Sequence, residues 1–236
     1  MKNSGYTIDE VFSPNVDHAH NFAENFECAR IDKLEKINPN ADLYLIAIPD
    51  GQIEDVAQAL PQVKGIVAHT SGHVSINVLT LAKRFGVFYP LQTFTQNRET
   101  DMTVVPFCIE ASDEQVLKSL MEVAASISRS VHHINSRQRK FLHLAAVTVN
   151  NFSNHLYHLS EEFLEDRNLD FNLLKPLILE SAKKVQEMSP TEVQTGPARR
   201  GDGETIERNL EMLEGNEDFQ DLYQLLSEQI MKKYHE

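Results

Sequence analysis

Only two cysteines, Cys28 and Cys108, stand in 236 residues, far apart and outside any CxxC pair. Their scarcity excludes a disulfide framework and a cysteine-built zinc site, and a reducing cytoplasm is the simplest setting. Basic charge is scarce as well. Against 35 Asp and Glu there are 22 Lys and Arg, a formal net charge of -13, which argues against nucleic acid or an anionic membrane as partner. No apolar run approaches the about 18 residues a membrane span needs, and the opening MKNSGYTIDEV has no apolar core of a signal sequence. No GxSxG elbow exists to expose Ser71 as a nucleophile, which sets a hydrolase aside. Internal repeats and low-complexity tracts are also missing.

What is present suits a soluble globular chain, 41% hydrophobic and 24% charged, divided into two domains. Aromatic and β-branched residues at Tyr6–Ser13 predict a strand, followed by a helix from Asn15 to Phe26. Leu43–Ile48 is a continuous apolar run, the mark of a strand covered on both faces. Pro49-Asp50-Gly51 breaks it, and helical spacing follows. The unit then recurs: a strand at Gly65–Ala68, the turn His69-Thr70-Ser71-Gly72, and a helix over Val74–Phe85 ended by Gly86. Strands at Val87–Tyr89 and Thr103–Ile109 come next, and Ser112 with Gln115 reads as a capping box for one more helix. Alternating strands and helices predict an α/β layer on a mainly parallel sheet. From Ser136 on the pattern is helical throughout, so residues 1–135 and 136–236 are expected to be an α/β domain and an all-α domain.

The second domain opens on Ser136–Leu159, about 24 residues without Gly or Pro, which predicts one long buried helix. Apolar residues surround its axis, yet a polar seam runs along it. At roughly 100° per residue His143, Asn150 and Asn154 share a stripe, with Arg139 before them and Asn151 to one side. Buried without partners, such groups cost roughly 1–3 kcal/mol each. The seam therefore lines a wet cleft or is simply the solvated face.

In open α/β sheets ligands bind beyond the carboxyl ends of the strands. Here those ends are followed by Pro49 and Asp50, by His69 to Gly72, and by Gln92 and Thr93. Free amides at a helix start after Thr70, Ser71 and Gly72 would suit a phosphate, and ordinary N-capping accounts for the same residues. The pairs His69/His73, His132/His133 and His155/His158 lack the partners and spacing of a metal site, so no metal is expected.

HTSG at His69–Gly72, YPLQTF at Tyr89–Phe94, HLAAV and NNFSNHLY between His143 and Tyr157, and QTGPARR at Gln194–Arg200 together resemble a bacterial family named as NADP oxidoreductases. Its members pair a Rossmann-like domain with a C-terminal helical domain of unknown function, and are related to pyrroline-5-carboxylate reductase and deazaflavin-dependent NADP oxidoreductase. The resemblance implies that the first domain holds NADP or NAD, with Ser13, Pro49, Asp50 and His69 to Gly72 toward the cofactor. The helical domain would close a cleft for a small-molecule substrate and carry a homodimer. Gln92, Thr93, Asn150, Gln194, Thr195, Gly196 and Arg200 would face the substrate, and His143, Asn151 and Asn154 would serve the chemistry. Spacing aligns His143 with Asn150 and Asn154, whereas the family pattern singles out Asn151.

The start departs from that family. Its members open on a strand and a GxGxxG-like turn whose glycines admit a pyrophosphate. The sole GxG here is Gly201-Asp202-Gly203, which follows no strand. Met1–Ser13 matches the family's second strand, and Pro14 and Asn15 stand where relatives often carry an arginine for a 2′-phosphate. The fold class expected is thus an incomplete Rossmann-like parallel sheet domain followed by helices. In the usual order 3-2-1-4-5-6 the missing strand lies between Tyr6–Ser13 and Leu43–Ile48, so the sheet should be open in its middle. The expectation is an N-terminally shortened chain, from a misplaced start codon for instance, that binds a nicotinamide nucleotide weakly. Two functions follow: a reductase of a small imine or carbonyl, and a non-catalytic dimeric binding or assembly protein that has lost the nucleotide.

Overall fold

The computed structural model describes residues 4–95 and 98–235; Met1–Asn3, at the head of the first expected strand, lie outside them. Two compact units emerge, residues 1–151 and 152–236.

The first unit is α/β. β1 (Glu10–Phe12), α1 (Val16–Phe26) and β2 (Ala29–Ile31) come first, then β3 (Leu43–Ile46), α2 (Ile53–Ala59), β4 (Ile66–His69), β5 (Phe85–Pro90), β6 (Phe107–Ala111), α3 (Glu114–Ala125), β7 (Val131–His133) and α4 (Ser136–Val147). β1 and β2 pair in parallel as a separate sheet, and the other five strands form a sheet in the order β3-β4-β5-β6-β7. Only the β5–β6 pairing is antiparallel. The sheet is therefore open between β1 and β3, where the family resemblance set the gap. Asn38 bridges the two parts: its N–H donates to the Glu10 carboxylate and its carbonyl accepts from the Tyr44 hydroxyl at 2.6 Å. One face of the five-stranded sheet packs Phe88, Phe107 and Ile109 on Val116, Leu120 and Ala124 of α3. Apolar burial of this kind contributes about 25 cal/mol per Å² and is the main cohesive force of the unit.

Several expected elements are corrected. The strand expected at Tyr6–Ser13 is ordered as β only over Glu10–Phe12. The helix expected at Val74–Phe85 is only a 3-10 turn, Ile76–Leu79. Ser71 Oγ accepts from the amides of His73 and Val74, Ser75 Oγ accepts from Asn77 N–H, and the Thr80 hydroxyl donates to the Asn77 carbonyl. Side chains thus take the groups an α-helix ladder would use, in a stretch already poor in helix formers. Gly86 ends no helix; it lies in β5, where a Cβ would come 2.5 Å from Leu120 and 2.6 Å from the Glu110 carbonyl. Asp113 rather than Ser112 caps α3, because its carboxylate reaches the Val116 amide at 2.9 Å. β7 carries His132 and His133, which give no strand signal of their own.

The long helix is not single. α4 passes into a π segment, Thr148–Phe152, and continues as α5 (Ser153–Glu165). Nor is it covered all round: Phe141, Leu144 and Val149 are 62%, 64% and 73% exposed. Such apolar residues would be buried only by further protein surface.

In the second unit, α5 is followed by α6 (Lys175–Glu187), α7 (Pro190–Val193), α8 (Pro197–Arg200), α9 (Gly203–Met212) and α10 (Glu217–His235). A capping box of Ser189 and Glu192 opens α7. Phe163 meets Phe219 edge-on at 5.8 Å, and the Arg167 guanidinium lies 3.7 Å over Phe163. Among the described residues no helix is long and apolar enough to cross a membrane.

Candidate active site

Strand alternation decides what β5 and β6 offer. Val87 and Tyr89 point away from the α3 side, and their ladder partners Glu110 and Cys108 share that face. Over it lies α4, whose start is fixed by a capping box between Asn135 and Gln138. Leu142 packs into the cluster of Val87, Tyr89 and Cys108. One turn apart on the same side of α4, Arg139 reaches Glu110 and His143 reaches Tyr89. Arg139 is fully buried. Its Nη1 pairs with the Glu110 carboxylate, and Nη2 donates to the Val74 carbonyl at 2.5 Å and to Ser136 Oγ at 3.2 Å. Ser136 Oγ in turn donates to Glu110 at 2.7 Å and accepts from Ile76 N–H.

The Tyr89 hydroxyl stands 3.1 Å from His143 Nδ1, with the rings edge-on at 6.0 Å. Burial, more than anything else, raises the Tyr89 pKa above the usual 10, while the nearby Arg139 charge pulls the other way. The phenol is neutral at pH 7; it donates where Nδ1 is bare, and where Nδ1 carries a proton the imidazole donates to the phenol oxygen. Such a pair can hand a proton on in either direction. Gly72 forms the floor, for a Cβ there would lie 2.5 Å from His143 Nδ1 and 2.7 Å from Tyr89 Cζ. His143 thus touches the turn after β4 and the strand that leads to Gln92.

His69 closes the turn from beneath. It is fully buried, and its Nδ1 accepts from Ser71 N–H at 3.2 Å, which leaves the proton on Nε2. Burial, then the Arg139 charge, lowers its pKa to about 4 from the ordinary 6.5. The unfolded chain takes up this proton near pH 6.5, the folded one only near pH 4, so the stability due to neutral His69 is present above pH 6.5 and lost as pH falls toward 4. Urea unfolding should show a loss of roughly 2 kcal/mol between about pH 7.5 and pH 5, and His69→Asn should flatten that slope.

The other expected site residues divide by place. Thr70 N–H donates to the Ile46 carbonyl at 3.2 Å, and the amides of His73 and Val74 are taken by the Ser71 hydroxyl. After β1, Ser13 Oγ accepts from Asn15 N–H and Asn15 Oδ1 from His18 N–H. Pro49 and Asp50 are exposed at a 3-10 turn. These turns use several of their donors internally, and none carries the GxGxxG pattern of a pyrophosphate-binding turn. A diphosphate would meet no glycine-rich cradle among the described residues. Gln92 and Thr93 are exposed, bonded to each other.

The π segment reconciles the two asparagine alignments. In an unbroken α-helix seven residues return to one face, which matches His143 to Asn150. A π turn holds about one residue more, so across Thr148–Phe152 the match moves on to Asn151. Both asparagines are exposed, and Asn150 Nδ2 donates to Asn151 Oδ1 at 3.4 Å. Asn154 is exposed in the second unit. Gln194, Thr195, Gly196 and Arg200 belong there too. Gly196 and Gly201, at φ of +103° and +71°, flank α8 in backbone regions that favour glycine. Arg199 stacks 4.1 Å over Tyr234, while Arg200 is exposed near Asp202.

Tyr89 and Glu110 escape a reading by helical stripe, since they sit in strands, and their pairing partners are set by the β5–β6 register. The available signals were a lone Glu ending an apolar strand and an Arg one turn before His143.

A mostly parallel sheet with polar turns beyond β3, β4 and β5, followed by an all-helical unit, defines a Rossmann-like protein of the type found in NADP oxidoreductases. A family profile described as "Domain of unknown function (DUF2520)" matches residues 105–230. The chain belongs to that DUF2520 family. A crystal structure from Bacteroides fragilis, described as a "putative NADP oxidoreductase", is 37% identical with a TM-score of 0.88, covering 98% of this chain and 90% of that one. A reductive aminase from Aspergillus terreus, solved with NADPH and ethyl levulinate, shares the fold at 12% identity and TM-score 0.66, over 95% of this chain and 85% of its own. So does 1-pyrroline-5-carboxylate reductase from Streptococcus pyogenes, at 12% identity and TM-score 0.62, over 98% and 92%. A search of curated proteins returns no match.

Proposed function

We propose that this protein is a nicotinamide-dependent reductase of a C=N or C=O bond in a small molecule, with Tyr89 and His143 supplying the proton. The observation that carries this reading is the Tyr89 hydroxyl 3.1 Å from His143 Nδ1 above the Gly72 backbone. Support comes from the description of the Bacteroides fragilis relative and from the fold this chain shares with an NADPH-bound reductive aminase. A nicotinamide supplies the hydride in such a reaction. This chain's own part is the proton: Tyr89 donates it as charge develops on the substrate nitrogen or oxygen, and His143 replenishes it. Asn151, on the His143 face, orients the substrate by its amide.

The open sheet and the lack of a GxGxxG turn predict weak nucleotide binding. Calorimetry with NADPH should give an affinity weaker than micromolar, and a micromolar or tighter dissociation constant would overturn that expectation. At millimolar NADPH, turnover of cyclic imines or ketones tests the reductase itself. The same open sheet favours a second reading, a non-catalytic dimeric binding protein. Neither heat of binding nor NADPH oxidation across an imine and carbonyl panel would select it.

Either reading proposes a homodimer. In the first unit α4 leaves Phe141 and Leu144 exposed, and in the second Leu173 and Leu177 are 71% and 63% exposed. A stable interface buries roughly 1,200–2,000 Å² in total, and apolar faces of this kind are where a second copy would gain most. Sedimentation should give a dimer at micromolar concentration, and Phe141→Glu with Leu144→Glu should shift it to monomer. A wild-type monomer under those conditions would remove the proposal.

A further inference from the structure

We infer that the Arg139–Glu110 pair is a positioning device, which sets the register of α4 on the β5–β6 face and so brings His143 onto Tyr89. Its geometry stands alone; its catalytic consequence rests on the reductase reading.

A fully buried guanidinium is a poor way to add stability, because desolvation offsets most of the attraction and an apolar replacement often does as well. What it adds is direction. Apolar contacts such as Leu142 on Val87 and Cys108 tolerate a slide, whereas a guanidinium fork bonds only where its acceptors stand. Those acceptors come from three places: the Glu110 carboxylate on β6, the Val74 carbonyl beyond the β4 turn, and Ser136 at the start of α4.

The spacings match. Arg139 and His143 are four residues apart on α4, about 6 Å along its axis. Val87, opposite Glu110, and Tyr89 are two residues apart on β5, about 6.6 Å. Anchoring Arg139 at Glu110 therefore leaves His143 level with Tyr89. A one-residue slip would turn Arg139 by roughly 100°, away from Glu110 and toward the directions that the exposed Gln138 and Lys140 now take. The same arginine also holds the Val74 carbonyl, two residues beyond Gly72, so the floor and the helix above it share one anchor.

The test compares the full chain with two variants, Arg139→Lys and the double variant Arg139→Met with Glu110→Leu, which removes both charges together. The first readout is the set of NMR cross-peaks between the Tyr89 and His143 rings; the second is kcat and KM. In the double variant, cooperative unfolding should persist while the ring–ring cross-peaks disappear. Its kcat should fall roughly 10²-fold, the scale of a small misplacement of a reacting group, with KM changed far less. Arg139→Lys keeps the charge without the fork and should recover part of both. Cross-peaks of wild-type strength in a folded double variant would overturn the proposal. If the double variant fails to fold, Arg139→Lys decides: unchanged cross-peaks and kcat reject positioning, and weakened ones in a folded protein support it. Should the wild type itself lack turnover, the reductase reading fails while the cross-peaks still judge the anchor.

Discussion

Replacing Tyr89 by Phe is expected to lower kcat/KM for imine or carbonyl reduction by roughly 10²–10⁴-fold, the usual contribution of a positioned acid. The ring remains and only the hydroxyl is lost, so the apolar packing with Val87 and Cys108 is kept. Stability should change by only about 1 kcal/mol, the net worth of one hydrogen bond. The expected signature is a folded protein with a collapsed rate. His143→Gln should reproduce most of the loss, and the double variant should be little worse than either single one, because the two residues act on one proton. Steady-state kinetics with NADPH in excess measure all three. A Tyr89→Phe protein within threefold of wild type would sink the assignment of the proton to this pair.

Gly72→Ala should be harsher, since it affects both stability and rate. The added methyl would sit 2.5 Å from His143 Nδ1 and 2.7 Å from Tyr89 Cζ, closer than real side-chain contacts allow. Either the turn after β4 backs away or the two rings part. Overpacking of this kind costs roughly 1–3 kcal/mol, and parting the rings removes the same proton path as Tyr89→Phe. Urea unfolding should report the first effect and kcat the second. The Ser71 bonds to His73 and Val74 resist retreat of the turn, so the rings are expected to yield. A Gly72→Ala protein with wild-type rate and stability would show that the floor is not tight.

Much of this was legible in order along the chain. The apolar run at Leu43–Ile48 announces a strand, although β3 spans only Leu43–Ile46 and leaves Leu45 exposed where both faces were expected to be covered; the turn at His69–Gly72 and the capping box at Ser189 likewise announce their structure by local chemistry, which acts whatever the rest of the chain does. The opening between β1 and β3 could be foreseen from the family resemblance, whose usual strand order sets these two segments apart in the sheet. His143 stood out as a polar group on a helix rich in apolar residues.

Its partner did not. Tyr89 meets His143 across 54 positions of sequence, and that meeting depends on the register of β5 on β6 and of α4 on both. Register is settled by paired side chains from distant segments, here Glu110 and Arg139, which no local period records. The π segment is a second instance: one extra residue in a turn moves the helix face from Asn150 to Asn151, while the stripe counted at α-helical spacing passes through it unchanged. Residue types and local turns thus follow from the sequence by itself. Which side chains meet over Gly72 was decided only by tertiary packing, because a proton-transfer pair exists only when two backbones are held within a hydrogen bond's reach of each other.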